Sequence, residues 1–209
     1  PNQYGGIPYL WALPPSPYSG TTSGAWQYNN TWEMYDAMTG NWILNVVNAP
    51  ESRVVISANL SVSIALIPTL ASDDSGDLIG YYVNGTTRTL NMWNSTLAIM
   101  KYNYLSGRSV NSWVWCPPQG ASIDWSLGIQ WSKPLVTTIT APNGTSVPIS
   151  PTLSISKIAS DVLLMSSVPE VTGYAWNPGY VYQAGYSAID GRLLWGPIWR
   201  TETPWTRVT

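Results

Sequence analysis

Three acidic side chains lie beside aromatic ones in a pattern that could line a sugar-cleaving cleft: Glu33 and Asp36 near Trp32, and Asp124 before Trp125. Glycoside hydrolysis needs two carboxyl groups at a defined separation, one to donate a proton and one to act as base or nucleophile. The competing reading is structural, with Asp36 in a hairpin turn and Glu33 on a solvated strand, and it is the better supported. The chain has no His, which removes Ser-His-Asp and Cys-His chemistry and most zinc or haem ligation. Its one cysteine, Cys116, stands beside Pro117 and Pro118 with no basic neighbour, as an inert thiol would. Asp73-Asp74-Ser75-Gly76-Asp77 clusters oxygens that could hold calcium, but it departs from the EF-hand pattern and lacks the closing Glu. A polar turn is expected there. No catalytic residue, metal site or cofactor is assigned.

Binding chemistry is better represented. There are 13 Trp and 13 Tyr with no Phe, so the aromatic load is carried by rings with a polar handle. Trp93 and Trp125, flanked by polar residues, are the candidate platforms for stacking on sugar rings, although most such rings in a repeat protein are packing. Trp195, Trp199 and Trp205, set among Gly and Pro, read as packing or interface residues. Asn-X-Ser/Thr acceptors for N-linked sugar occur at Asn29, Asn59, Asn84, Asn94 and Asn143. Asn84 has a second explanation, because Asn84-Gly85 is also a strong type I′ hairpin signal.

The elements that would position these residues are strands. Residues 1–31, rich in Pro, Gly, Ser and Tyr, read as an extended N-terminal arm, in which Leu10–Leu13 could dock in a groove. Residues 32–209 read as a single all-β domain. Trp32–Tyr35 and Trp42–Val47 form a first hairpin, and Val54–Leu66 a long alternating strand. Leu78–Val83 and Thr87–Trp93 form a second hairpin at Asn84-Gly85, and Val136–Ala141 and Val147–Ile149 another around Pro142-Asn143-Gly144. No stretch shows sustained helical periodicity. One phrase recurs: Tyr35–Leu44 (YDAMTGNWIL), Tyr186–Trp195 (YSAIDGRLLW) and, more loosely, Tyr102–Trp113 (YNYLSGRSVNSW). Each has a Tyr, four residues, a Gly and a second apolar strand, so three irregular hairpin repeats are expected.

The phrase Tyr186–Trp195, and nearly as well Tyr35–Leu44, resembles the repeat of pyrroloquinoline-quinone-like β-propellers. Leu78–Asn84 and Leu90–Thr96 look like segments of archaeal surface proteins that carry such repeats and have no assigned activity. The resemblance is specific over about 30 residues and implies an all-β fold of antiparallel hairpin repeats, as a propeller-like arc or a sandwich. Nothing in the chain marks the quinone's ligands. Tyr35, Tyr102 and Tyr186 are farther apart than the ~40–50 residues of a regular blade, and three units fall short of the usual four or so. An open arc leaves strand edges exposed, to be completed by other copies or a sibling surface chain.

Composition sets the rest. The 209 residues are 44% hydrophobic, enough for a core, but only 10% charged, against roughly 25% in typical soluble domains. Net charge is −2 with no basic cluster, which argues against nucleic-acid binding. No run approaches the ~20 apolar residues of a membrane span. The chain starts without Met, which suggests a processed chain or a piece of a longer one. The expected function is a non-catalytic extracellular structural subunit of a surface layer or filament, N-glycosylated and assembling through strand edges. The alternative is a surface carbohydrate-binding module using Trp and Tyr platforms, and a third reading is a glycoside hydrolase.

Overall fold

The structure, a computed structural model, describes residues 9–12, 26–27, 30–50, 53–56, 62–65, 69–72, 77–108, 116–140, 144–149, 153–167 and 180–201. In chain order it contains β1 (Tyr9–Ala12), β2 (Trp26–Gln27), β3 (Trp32–Asp36), β4 (Trp42–Val47), β5 (Arg53–Ile56), β6 (Val62–Ala65) and β7 (Thr69–Ser72). Next come β8 (Leu78–Asn84), β9 (Thr89–Asn94), α1 (Ser95–Leu105), β10 (Ala121–Asp124), a 3₁₀ turn (Trp125–Gly128) and β11 (Ile129–Pro134). The chain continues through β12 (Thr138–Thr140), β13 (Ser146–Pro148), β14 (Ser154–Ala159), β15 (Val162–Ser167), β16 (Tyr180–Ser187) and β17 (Leu193–Thr201). The strands form sheets in the orders β1-β3-β4-β10, β7-β8-β9-β11, β2-β5-β6, β12-β13 and β14-β15-β16-β17. Among the described residues the protein is thus mainly antiparallel β-sheet with one α-helix. Contacts divide it into two compact units, residues 1–81 with 93–130, and residues 82–92 with 131–209.

Two of the expected hairpin phrases are the same turn in hydrogen-bond detail. At Asp36 the carboxylate accepts from the Met38 and Thr39 amides, and at Ser187 the hydroxyl accepts from those of Ile189 and Asp190. Asp36 and Ser187 each donate their own amide to the carbonyl five residues on and accept the glycine amide four residues on. Those glycines, Gly40 (φ 71°) and Gly191 (φ 70°), occupy the left-handed region that excludes most side chains. The third copy is elsewhere than expected. Tyr102 lies in α1, where Gly107 (φ 71°) closes the helix as a left-handed C-terminal cap. The matching turn is instead at Asn84, whose Oδ1 accepts from the amides of Thr86 and Thr87, with Arg88 at φ 51° in the glycine's place. Gly85 has no positive φ, so the turn is not type I′ but a longer loop braced by the Asn84 side chain.

The first unit is built on a tryptophan cluster. Along sheet β1-β3-β4-β10 one face is apolar: Trp11, Met34, Leu44 and Ala121 lie in register, as do Trp32, Val46 and Ile123. Against it Trp93 and Trp125 stack with centroids 4.2 Å apart and planes 6° from parallel, and Trp32 meets Trp125 at 5.3 Å. Trp11 approaches Trp32 and Trp93 edge-on at 6.4 and 6.2 Å. Such pairs contribute about 0.5–1.5 kcal/mol each beyond the area they bury. Residues 1–31, expected as an arm, therefore contain two strands paired within the chain, β1 on β3 and β2 on β5. The expected single strand Val54–Leu66 is a hairpin, β5 against β6. β10 pairs with β4 in parallel, a pairing that a reading of consecutive hairpins does not anticipate.

Helix α1 forms where the sequence shows no sustained helical periodicity. Asn94 caps it, its Oδ1 accepting the Leu97 amide at 3.0 Å. Its buried residues, Ser95, Ala98, Ile99 and Asn103, have helical spacing. The opposite face is largely apolar too: Leu97, Met100, Tyr104 and Leu105, with the Lys101 side chain among them, line a groove of about 390 Å³. Apolar residues on both faces hide the period. No helix among the described residues is long and apolar enough to cross a membrane.

The second unit contains the four-stranded meander β14-β15-β16-β17. One of its faces is closed by Leu163 against Tyr186, Met165 against Ala184 and Ser167 against Tyr182, all buried. The Tyr186 hydroxyl accepts the Val136 amide at 2.9 Å. The hairpin β12–β13 adds buried Ile139, with Ile149 just beyond it.

Candidate functional site

The outward face of sheet β1-β3-β4-β10 carries two contrasting rows. One is apolar and aromatic, with Leu10 opposite Tyr35 and Tyr35 opposite Trp42. The other is polar, with Ala12 opposite Glu33, Glu33 opposite Asn45 and Asn45 opposite Ser122. Alternation on β3 sets Glu33 and Tyr35 on this face between buried Trp32 and Met34, and on β4 the register irregularity at Ile43, where Ile43 and Leu44 are both buried, brings Trp42 opposite Tyr35. Trp42 is 43% exposed, and its Nε1 donates to Asn45 Oδ1 at 2.9 Å, which holds the ring beside the polar row. The Tyr35 hydroxyl donates to Glu33 Oε2. That bond to a carboxylate, then burial and the nearby charge, raises the Tyr35 pKa above its ordinary value. Glu33 Oε1 and Asn45 Nδ2 remain without partners among the described residues, so the strip presents one acceptor and one donor beside two rings.

The carboxylates considered for catalysis do not converge. Asp124 caps the 3₁₀ turn, accepting from the Ser126 hydroxyl and amide and from Asn48 Nδ2. The Ser126 hydroxyl first, then Asn48 and the Ser126 amide, hold it below the usual carboxylate range, the reverse of what a general acid needs. Asp36 braces its turn and Glu33 is tied to Tyr35. Glu33 and Asp124 share a sheet face two strands and two residues apart, roughly 12 Å at their backbones.

Trp93 and Trp125 are not platforms. They are 0% and 3% exposed, and the Trp93 Nε1 donates to the Trp125 carbonyl at 2.9 Å. A Cβ on Gly128 would lie 2.2 Å from Trp93 Nε1 and 2.6 Å from both atoms bonded to it, a position over the ring face rather than at its edge. Trp93 thus lies flat on a residue that must be Gly. Polar neighbours in the sequence mark these rings, but Asn91, Asn94 and Ser95 around Trp93 are themselves buried, and Asp124 and Ser126 around Trp125 are spent on capping the 3₁₀ turn. The exposed Trp42 was missed because its signal, an Asn three residues on across a strand irregularity, looks like ordinary hairpin sequence.

Of the acceptor asparagines, Asn29, Asn59 and Asn143 lie outside the described residues. Asn84 is exposed, with its Oδ1 used by the turn and its Nδ2 without a partner among the described residues. Asn94 is 9% exposed, and its Nδ2 donates to Asp77 Oδ2 at 3.0 Å while Thr96, the third residue of the same acceptor motif, donates to Asp77 Oδ1 at 2.6 Å. The motif at Asn94 is therefore spent on starting α1. Asp77 was expected in a polar turn, and the rest of the possible calcium loop, residues 73–76, lies outside the described residues. Among the described residues no group of three or more His, Cys, Asp or Glu could hold a metal ion. Cys116 is exposed and unpaired. No protein-family model and no curated protein matches this chain.

Proposed function

We infer that the protein is a non-catalytic structural subunit of an extracellular surface layer or filament, joined to its neighbours through a strand edge. The observation that carries this is the difference between the two outer strands of the meander β14-β15-β16-β17. β14 is guarded. It has an irregularity between Ile155 and Lys157, an exposed Lys157, and Ser154 and Ser156 hydroxyls donating to the carbonyls of Ser166 and Leu164. Charge and bulges are how edge strands are kept from pairing with other chains. β17 has register irregularities of its own, opposite Gln183–Gly185 and Gly185–Tyr186, so the difference lies in charge: it carries none along Leu193–Ile198 and exposes Leu193, Leu194, Trp195 and Ile198, each at 40–46%. Pro197 removes one donor, leaving main-chain groups on either side for an incoming strand.

This reading also takes the propeller-like resemblance into account, since an incomplete set of four-stranded units needs neighbours to cover its flanks. Extracellular placement and N-linked sugar at Asn84 belong to the same proposal. Its test is an edge-blocking substitution. Ile198→Lys should lower the sedimentation coefficient of the assembled protein to that of a single chain, with circular dichroism unchanged. Assemblies of unchanged size would refute the edge.

A further inference from the structure

The strip on the outer face of β1-β3-β4-β10 has no part in that edge, and its chemistry is that of a binding site. We propose that it binds a neutral carbohydrate, with a pyranose ring lying on Trp42 and Tyr35 and its hydroxyls bonded to Glu33 and Asn45. The aromatic row and the polar row are two residues apart along β1 and β3, about 7 Å, and three apart along β4, where the irregularity takes up the extra residue. A sugar seated on the first row therefore has its equatorial hydroxyls over the second. The faces of pyranoses carry C–H groups that complement the negative face of an aromatic ring, and their rims carry hydroxyls that both donate and accept. The strip offers each part what it needs: the Trp42 ring, held by Asn45 Oδ1 and 43% exposed; Glu33 Oε1 as acceptor; and Asn45 Nδ2 as donor.

The ligand's charge follows from the same residues. The only ionisable groups on the two rows are the Glu33 carboxyl and the Tyr35 phenol bonded to it. An anionic sugar would meet that carboxylate, and a protein partner would have to bury it without a cation on the strip to pair with it. A neutral sugar instead uses the carboxylate as a strong hydrogen-bond acceptor. The rows run across the strands from Leu10 to Trp42 and from Ala12 to Ser122, long enough for more than one ring. The ligand is thus an oligosaccharide rather than a single sugar. The site stands whether or not the protein assembles through β17.

The test is titration of the purified full chain with cellohexaose, xylohexaose, mannohexaose and chitohexaose, read by calorimetry and by tryptophan fluorescence. At least one should bind saturably. Trp42→Ala should weaken that binding about tenfold or more, the effect of losing a stacking ring. Glu33→Gln and Asn45→Ala should weaken it several-fold, and Met38→Ala, in the neighbouring turn, should leave it unchanged. Circular dichroism of each variant guards against loss of folding. Absence of saturable binding to any of the four, or binding that survives Trp42→Ala, would overturn the proposal. So would a concentration-dependent association that Trp42→Ala disperses, which would make the face an interface between copies.

Discussion

At Asp124 a carboxyl placed beside Trp125 is kept ionised by three hydrogen bonds rather than poised to give up a proton. Its folded-state pKa is lowered, so its contribution to stability is full above the ~3.9 of an unfolded Asp and is lost as the pH falls through the folded value. Asp124→Ala should therefore lower the urea midpoint at pH 7, by about 1 kcal/mol in stability for a lost cap. The gap between variant and wild type should close in strong acid, and a gap independent of pH would contradict the assignment. The acceptor asparagines also separate at this scale. Asn84 offers a free amide on an exposed turn, whereas the Asn94 amide is held by a buried carboxylate. Peptide mass spectrometry of protein secreted through an N-glycosylating host should find sugar on Asn84 and none on Asn94. Occupied Asn94 in folded protein would contradict the structure.

At the scale of elements the recurring turn makes a paired prediction. Gly40 and Gly191 share a left-handed backbone, but a Cβ at Gly40 would meet nothing within 4 Å, whereas one at Gly191 would come within 2.6–2.8 Å of Trp131 and Lys133. Gly40→Ala should cost roughly 1–2 kcal/mol, the backbone penalty alone. Gly191→Ala should cost a further ~1–3 kcal/mol of overpacking. Equal losses in thermal denaturation would mean the two turns are not packed as described. The Tyr-to-Gly phrase was legible in the sequence because a side-chain brace and a left-handed glycine leave a fixed spacing. Its limit is Tyr102, where the same spacing ends a helix. The true third copy at Asn84 was hidden because Arg88 takes the left-handed position without a glycine to announce it. Helix α1 was hidden by its second apolar face, and the β4–β10 pairing by its distance along the chain.

For the whole molecule the sequence carried the fold class but not which aromatic rings face outward. Strand alternation does not say which face is covered, and Trp93 and Trp42 differ only in what the rest of the chain lays over them. The exposed apolar residues of β17 are what an isolated chain would be expected to avoid and an assembling one to use. The most direct measurement is the mass of the untagged protein by light scattering behind a sizing column, over a wide range of concentration. The account predicts particles many times the 22.9 kDa of the chain, reduced to that mass by Ile198→Lys. A wild-type monomer at every concentration would contradict it.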